Sequence, residues 1–548
     1  MKSLIAILVL LGLLTTQVAA FDEPLEGHLT LDVKGATLKT KVLRDYIGVT
    51  KNAESRWNEL PGFSFSYVQS GDALIPEFSG AITSDHPNWE WVLTPGTITK
   101  MDKGTRISLP FALMEKNENC LLNGYIVYDM TAGKVSSKAK LQIASETCLY
   151  VKFDMWGKMK ASWQAAPVQN RDQLIANYER EQATNLPTRP ITDLIHEYPD
   201  VTLSSLSEST RINPEDMSHY GILKDGIHYV SGCSTRKGIY PHCDQMLMPS
   251  YSFAKSLVAS FALMRLELLY PGSSHEKIKD FVPECKGKAW QDVRFIDALN
   301  MATGNFYSLG AERDEGSKAY QALFLAKSHA EKIKFSCEHF PHKSKPDTTF
   351  VYHTSDTYIL GAALNAYWKA KMGTDRDFFR DLIVTDIFTP LGLSASAKWT
   401  RRTYDSVSQP FTGWGLTLNR NDFAKLIWFL GGYNETLQPT SPFDAKMFNA
   451  VLQKNEGDRG MDASQSFRPD AESLIKYNKG FWAYNMQDKL GCDQATWLPY
   501  LSGYGGLSAV ILPNNMGFYN ISDGGKHAFA NALYEIHKIR SLCEGNNR

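Results

Sequence analysis

One segment carries most of the chemical information in this chain, and it reads Met248-Pro249-Ser250-Tyr251-Ser252-Phe253-Ala254-Lys255-Ser256. The apolar pattern that follows predicts a helix over 256–269. If Ser252 lies in the first turn of that helix, Lys255 projects from the same face, where its amine can contact the serine hydroxyl. The segment therefore predicts a serine nucleophile beside a lysine base.

A serine hydroxyl is a weak nucleophile at neutral pH and needs a neighbouring base. A lysine that is removed from water has a lowered pKa and can act as that base. The N-terminus of the helix also presents free N–H groups to a developing oxyanion. The spacing is not specific by itself, because Ser137, Ser234, Ser274 and Ser473 also precede a lysine by three positions. Ser252 differs from these four because a proline-containing segment precedes it and an apolar helix follows it. The alternative to a catalytic pair is that Ser252 and Lys255 lie on the solvated face of a packing helix.

The composition is that of an ordinary globular protein of 548 residues, 43% of them hydrophobic and 21% charged. With 58 Lys+Arg and 59 Asp+Glu the formal charge is −1, and no long run of one sign occurs. A nucleic acid or an anionic membrane surface is therefore not an expected partner. A small-molecule substrate is expected instead, and the sequence carries no signal for an oligomeric state.

The first twenty residues have the pattern of a secretory signal peptide. Lys2 supplies the positive charge, 4–14 is apolar, and Val18-Ala19-Ala20 is a small-residue cleavage site. The alternative is a transmembrane anchor, but this apolar stretch is too short to cross about 30 Å of hydrocarbon. We therefore expect an exported protein, periplasmic or secreted, without a stable membrane anchor.

Eight cysteines in an exported chain predict disulfides. Eight cysteines allow about 105 connectivities, and the simplest joins neighbours along the chain. Those pairs are Cys120 with Cys148, Cys233 with Cys243, Cys285 with Cys337, and Cys492 with Cys543. Cys337, His339 and His342 could instead be metal ligands, but the group lacks the fourth ligand and the spacing of structural zinc sites. We expect no metal and no cofactor.

The pattern of the chain changes near residue 165. Residues 21–165 alternate polar and apolar side chains in short runs, which predicts a β-rich N-terminal domain of the sandwich type. Residues 166–195 contain a helix-compatible stretch over 172–182 and two prolines, and are interpreted as a linker. Residues 196–548 are mixed, and predict an α+β hydrolase-like domain. Its predicted elements are a hairpin over 222–230, helices over 256–269, 358–370 and 526–539, and strands over 507–512 and 516–521.

From about residue 200 to 548 the chain resembles the serine β-lactamase-like, penicillin-recognising superfamily, including its esterase, D-amino-acid peptidase and aminohexanoate-oligomer hydrolase branches. The Ser252 to Lys255 tetrad followed by Ser256 is similar to the family's nucleophile helix. The resemblance implies an antiparallel sheet with helices and a helical insertion, here preceded by the all-β domain. It also implies that Ser252 is acylated and that Lys255 is its base.

The second family motif is Tyr-x-Asn or Ser-x-Asn. Tyr352-His353-Thr354 resembles the Tyr form with Thr in place of Asn, and Ser355-Asp356-Thr357 offers a rival hydroxyl. The resemblance implies that Tyr352 is a proton shuttle and that Ser355 contacts the substrate. The alternatives are that Tyr352 is an aromatic packing residue at a strand end and that Asp356 caps the following helix.

The third motif normally reads Lys-Thr-Gly, and Gly503-Tyr504-Gly505-Gly506 is similar to its Gly-His-Gly-Gly variant. The resemblance implies that Tyr504, Gly505 and Gly506 line the substrate site and that the N–H of Leu507 joins that of Ser252 in an oxyanion hole. The alternative is an ordinary glycine-rich turn.

A Tyr at the position of the family's Lys removes the cation that would bind a substrate carboxylate, a contact of about 1.5 to 3 kcal/mol. An ester or amide with a neutral acyl group is therefore a better candidate than a β-lactam. No Gly-x-Ser-x-Gly occurs in the chain, which argues against an α/β-hydrolase. The sequence predicts a serine hydrolase of esters, amides or peptides, and the alternative is a non-catalytic sensor or cell-wall-binding or protein-binding module on the same fold. Trp414, Trp482 and Tyr484 are candidates for the pocket wall or for the core.

Overall fold

The computed structural model describes residues 24–310, 312–432, 441–464 and 473–543. The predicted signal peptide, 1–20, lies outside these residues. Within the described ranges, no helix has the length and apolar character needed to cross a bilayer.

Residues 26–165 form a sheet of thirteen strands that pair antiparallel throughout. The strands are β1 Glu26–Leu31, β2 Thr37–Asp45, β3 Phe63–Ser70, β4 Ala73–Pro76, β5 Ala81–Ile82, β6 Trp89–Leu93, β7 Gly96–Met101, β8 Gly104–Glu115, β9 Leu121–Thr131, β10 Lys134–Val135, β11 Ala139–Thr147, β12 Val151–Met159 and β13 Ala161–Ala165. Their order is β13-β1-β3-β4-β7-β8-β9-β11-β12-β2, with β5 and β6 joined through β8 and β10 through β9. The strands make one continuous sheet and not the two sheets of a sandwich.

This sheet encloses its own apolar core. Leu29 on β1 and Phe153 on β12, which are distant in strand order, share the core with Trp89, Trp91 and Phe111. All five side chains are almost fully buried. Since strands from both ends of the order contribute, the sheet must curl around one core, which buries apolar side chains of most strands but none of β2 or β13.

A second sheet of nine strands has the order β14-β16-β15-β26-β25-β24-β23-β22-β21. Its strands are β14 Thr188–Pro190, β15 Met217–Lys224, β16 Ile227–Val230, β21 Met461–Asp462, β22 Ile475–Asn478, β23 Phe481–Asn485, β24 Trp497–Gly503, β25 Leu507–Leu512 and β26 Met516–Ser522. Two small ribbons pair β17 Ser234–Thr235 with β18 Gly238–Ile239, and β19 Met248–Pro249 with β20 Thr417–Leu418. The predicted hairpin is β15–β16, and both residues of its turn, Asp225 and Gly226, have the positive φ that a two-residue turn of this type needs.

Helices cover both faces of the second sheet, whereas α1 packs on β3 and β4 of the first sheet. The helices are α1 Arg171–Ala183, α2 Ile191–Glu197, α3 Leu203–Leu206, a π-helix Lys255–Ser260 that continues into α4 Phe261–Leu269, α5 Ile278–Phe281, α6 Phe295–Leu299, α7 Gln321–Leu325, α8 His329–Glu338, α9 Thr354–Met372, a second π-helix Phe379–Phe388, α10 Arg420–Leu430, α11 Ala445–Val451, α12 Gln487–Leu490 and α13 Ala530–Ile539. On β25, Ala509 and Ile511 face the core shared with α4, α9 and α10, whereas Val510 and Leu512 face the core shared with α2 and α13. The predicted α+β class is confirmed.

All eight cysteines form disulfides, and the pairs are those of the simplest predicted connectivity: Cys120–Cys148, Cys233–Cys243, Cys285–Cys337 and Cys492–Cys543. The alternative metal site at Cys337, His339 and His342 is therefore wrong, because Cys337 has no free thiolate to offer.

Buried ion pairs connect the N-terminal sheet to the rest of the chain. Arg401 binds Glu90 at 2.7 Å, and these side chains are 2% and 1% exposed. Lys152 binds Asp216 at 2.8 Å and Asp523 at 3.2 Å. Removing one partner of such a pair typically costs about 3 to 5 kcal/mol, because the other charge stays buried and unpaired. The two parts of the chain are therefore firmly joined.

Candidate active site

The segment that carries Ser252 approaches through the β19–β20 ribbon and then turns sharply. Tyr251 has φ 40°, a left-handed conformation that is unfavourable for a bulky side chain. Ser252 follows this turn directly and is partly exposed, whereas Lys255 is only 1% exposed. The serine thus faces solvent, and the lysine lies beneath it.

Ser252 and Lys255 are in contact. Lys255 Nζ lies 2.9 Å from Ser252 Oγ, and Lys255 begins a π-helical segment, a distortion that is frequent at functional sites. Burial lowers the pKa of Lys255 to about 8, although the negative charges of Glu315 and Glu312 act in the opposite direction. All five Ser-x-x-Lys copies lie in the described residues, and only in this one is the lysine buried.

Lys255 has two further hydrogen-bond partners. Its Nζ donates to Thr354 Oγ1 at 2.8 Å and to the carbonyl of Gly413 at 3.3 Å. A Cβ at Gly413 would come within 2.6 Å of Thr354 Cγ2, so only glycine allows this approach. Thr354, which replaces the Asn of the resembled motif, is therefore a direct hydrogen-bond partner of Lys255.

Thr354 in turn joins Lys255 to Glu315. The Thr354 hydroxyl donates to one carboxylate oxygen of Glu315, and its backbone N–H donates to the other at 2.6 Å. The result is a chain of hydrogen bonds from Ser252 to a carboxylate. Glu315 was not predicted from the sequence, because it lies outside all three motifs and no spacing rule connects it to them.

Tyr352 packs against the lysine. Lys255 Nζ is 5.0 Å from the centroid of the Tyr352 ring, and the Trp482 ring stacks on Tyr352 with the centroids 5.7 Å apart. Burial raises the pKa of Tyr352 well above its usual value, and hydrogen bonding with Ser252 opposes this only in part. The phenol is therefore neutral near pH 7, and can relay a proton but is not a resting tyrosinate.

Ser355 does not contact Lys255. It is fully buried in the first turn of α9, where its N–H donates to the Tyr320 hydroxyl at 2.7 Å. Its own hydroxyl has no hydrogen-bond partner among the described residues. Asp356, also in the first turn of α9, accepts from Thr303 at 3.3 Å, and burial raises its pKa to about 7.

The glycine-rich motif forms the turn between β24 and β25. Gly505 and Gly506 have φ 87° and 119°, and a Cβ at Gly506 would come within 2.5 Å of Ser522 Oγ. Tyr504 is 49% exposed, and its ring lies 5.6 Å from the ring of Tyr251. The turn is thus held beside the residue that precedes Ser252. Leu507, the first residue of β25, is fully buried.

The three aromatic candidates have different positions. Trp482 contacts Tyr352, as described above. Trp414 packs against Phe411 at 4.6 Å and donates its indole N–H to the carbonyl of Asn117, so it belongs to the core. Tyr484 lies edge-on to Phe529 at 6.5 Å.

No protein-family model and no curated protein matches the chain. Among solved structures it is similar to a protein from Bacillus anthracis assigned as a 6-aminohexanoate-dimer hydrolase, at 13% identity and TM-score 0.44 over 62% of this chain and 82% of that one. It is similar to a class C β-lactamase at 13% identity and TM-score 0.42, over 70% and 100% of the two chains. A penicillin-binding protein homologue from Caulobacter crescentus has 14% identity and TM-score 0.41, over 61% and 95%. The chain is similar to these three proteins at 13 to 14% sequence identity.

Proposed function

We propose that this chain is a serine hydrolase that cleaves an ester or amide bond through an acyl-enzyme on Ser252. The observation that carries the proposal is the 2.9 Å contact between Ser252 Oγ, which is partly exposed, and the buried amine of Lys255. A pKa of about 8 leaves a useful fraction of that amine neutral at neutral pH.

The three partners of Lys255 match the hydrogen-bonding capacity of a neutral amine. Its N–H groups donate to Thr354 Oγ1 and to the carbonyl of Gly413, which leaves the nitrogen lone pair for the Ser252 hydroxyl. Ser252 Oγ then bonds to the substrate carbonyl carbon, and its proton passes to Lys255. The ammonium ion formed is stabilised by the Glu315 charge and by the face of the Tyr352 ring.

Collapse of the tetrahedral intermediate completes acylation. The backbone N–H groups of Ser252 and Leu507 are the proposed oxyanion donors. The carbon–leaving-group bond breaks as Tyr352 delivers a proton to the leaving group and regains one from Lys255. Water then attacks the acyl-enzyme by the reverse route and restores the Ser252 hydroxyl. The sequence of steps requires no cofactor.

The charges around the site support a substrate that has no carboxylate beside the scissile bond. Tyr504 stands where the resembled motif carries a cation, and burial is the main cause that raises the pKa of this phenol, so the side chain is uncharged near pH 7. A substrate carboxylate would therefore meet no positive charge at this position. We therefore propose a neutral ester, amide or peptide as the substrate class, with Gly505 and Gly506 along its path.

We further propose that the enzyme is exported and works in the periplasm or outside the cell. The four disulfides support this, because such bonds persist in oxidising compartments. The substrate is then a small molecule that reaches that compartment.

The test is a screen of p-nitrophenyl esters, short D-amino-acid peptides and nitrocefin with the wild type and two matched variants. Ser252→Ala should abolish turnover of the preferred substrate. Ser256→Ala removes a hydroxyl one turn further along the same helix, where it donates to the carbonyl of Gly480 at 2.6 Å, and should retain turnover. Full turnover by Ser252→Ala would refute the proposed nucleophile, and no turnover of any compound by the folded wild type would favour the binding-module alternative.

A further inference from the structure

We infer that Asn119, which belongs to the N-terminal sheet region between β8 and β9, is a positioning residue for the Ser252 nucleophile. The inference rests on the proposed function of Ser252. It assigns a role to the N-terminal sheet, which the proposed chemistry does not otherwise use.

The side chain of Asn119 links the two chain segments that form the approach to Ser252. It is fully buried, and its Oδ1 accepts the backbone N–H of Tyr251 at 2.9 Å and of Gly415 at 3.1 Å. Its Nδ2 donates to the carbonyl of Leu416 at 3.2 Å, and the Ser250 hydroxyl donates to Oδ1 at 3.3 Å. One amide group therefore joins both strands of the ribbon at the point where the nucleophile turn begins.

The turn at Tyr251 needs such support. A tyrosine at φ 40° is in a sparsely populated conformation, which persists only when the surroundings hold it. Asn119 holds its backbone N–H, and the carbonyl of Thr147, also on the N-terminal sheet, accepts from its hydroxyl at 3.2 Å. Ser252 is the next residue, so a relaxed turn would displace Oγ from Lys255. Displacements of about 1 Å can lower a rate by about 100-fold.

Asn119 is itself firmly held. Its neighbour Cys120 is bonded to Cys148, and the carbonyl of Asn117 accepts the indole N–H of Trp414 at 3.1 Å. The amide is therefore a fixed point against which the nucleophile turn is set, and a substitution at Asn119 acts on the turn and not on a mobile loop.

Asn123 provides a matched control. It is also buried and also clamps backbone, since it donates to the Leu247 carbonyl at 2.8 Å and accepts the Leu247 N–H at 3.0 Å. That clamp lies before β19 and does not touch the turn. Asn119→Leu loses four buried hydrogen bonds and Asn123→Leu loses two, so we expect both variants to have a lower Tm, with the larger fall in Asn119→Leu.

The experiment measures kcat and KM on the preferred ester, and the rate at which a fluorophosphonate labels Ser252, in the full-length variants. Asn119→Leu should lower kcat and the labelling rate by at least about 30-fold with little change in KM, while Asn123→Leu changes them less than about threefold. Asn119→Asp keeps an acceptor oxygen for the Tyr251 N–H, and its kcat should be about tenfold higher than that of Asn119→Leu. Should Asn119→Leu not fold, Asn119→Ser, which places no apolar group against these backbone atoms, should still lower kcat at least about tenfold.

Wild-type kcat and labelling in folded Asn119→Leu or Asn119→Ser would overturn the inference, as would equal losses at Asn119 and Asn123. Hydrogen–deuterium exchange of the peptide containing Tyr251 is a readout that needs no activity. It should accelerate in Asn119→Leu and not in Asn123→Leu, and equal exchange would contradict the inference. A wild type that is neither labelled nor active would instead refute the proposed function and leave this exchange comparison as the test of positioning.

Discussion

Lys255 and Thr354, which are 99 positions apart in sequence, share a 2.8 Å hydrogen bond in which the amine donates to the threonine hydroxyl. The Thr354 hydroxyl in turn donates a hydrogen bond to a carboxylate oxygen of Glu315. Thr354 thus links the Lys255 amine, which lies beside Ser252, to a carboxylate.

Thr354→Val keeps the shape of the side chain but removes its hydroxyl. The amine loses one partner, and Glu315 loses the hydroxyl donor but keeps the backbone N–H of residue 354, so we expect kcat/KM to fall about 10- to 100-fold, equivalent to about 1.4 to 2.7 kcal/mol. Thr354→Ser keeps the hydroxyl and should remain within about threefold of the wild type. Equal activity of the Val and Ser variants, measured on the same ester, would show that the hydroxyl has no role.

Tyr352→Phe tests the proton relay. The ring and its stacking on Trp482 remain, but the phenolic proton is lost, and we expect kcat to fall by about 100-fold or more. Tyr477→Phe is the matched control, because Tyr477 also packs against Trp482 and its hydroxyl has no hydrogen-bond partner among the described residues. It should change kcat little. A Tyr352→Phe variant as active as Tyr477→Phe would remove the phenol from the mechanism.

The dependence of kcat/KM on pH tests whether Lys255 acts as the base. Lys255 must be neutral to accept a proton, so kcat/KM should rise with pH and level off above about 8, the pKa to which burial lowers this amine. Glu315 stabilises the protonated amine. Glu315→Gln should therefore lower the Lys255 pKa and move the rising limb to lower pH. Glu456→Gln removes the same charge from a side chain that is 91% exposed, and should leave the profile in place. A limb that moves to higher pH in Glu315→Gln would contradict the assignment.

Tyr504→Lys tests the choice of substrate. A cation at this position should bind a substrate carboxylate, and we expect kcat/KM for an ester with a carboxylate beside the bond to rise about 10- to 100-fold, while a neutral ester is unaffected. Tyr46→Lys places the same charge at a residue that is 72% exposed, next to strand β2. It should leave kcat/KM for both esters unchanged. If kcat/KM for both esters is also unchanged in Tyr504→Lys, Tyr504 does not face the acyl group.

Much of the fold could be predicted from local patterns. The strand predicted over 507–512 is β25, Leu507–Leu512, and the Asp225-Gly226 turn was predicted from its residue types alone. The helix predicted over 358–370 begins earlier, at Thr354. Its first turn is polar, so the apolar pattern does not include it, and hydrogen bonds with Tyr320 and Thr303 hold that turn in the buried interior. The π-helical start of the nucleophile helix was not predicted, since an apolar run has no period that separates it from an α-helix.

The site residues that could be predicted are those that belong to a short motif with a fixed spacing in the sequence. Ser252 lies in the turn that leads into the helix, and Lys255 follows it by three positions, so local geometry brings the two side chains together. Glu315 lies between α6 and α7, and Asn119 lies between β8 and β9 of the first sheet, and both reach the site through contacts that depend on the tertiary fold. Such contacts leave no periodic trace in one sequence, and only the structure identifies them.

The most direct test of the account is covalent labelling of Ser252. The folded wild type is treated with a fluorophosphonate and the labelled peptide is identified by mass spectrometry, alongside Ser252→Ala, Lys255→Met and Lys332→Met. Lys332 is an equally buried lysine that faces Phe411 and Trp414, so its variant controls for the loss of a buried amine. The account predicts one adduct, on Ser252, formed at least about 100-fold more slowly in Lys255→Met and at nearly the wild-type rate in Lys332→Met. A folded wild type without an adduct on Ser252, or equal labelling rates in the two lysine variants, would contradict it.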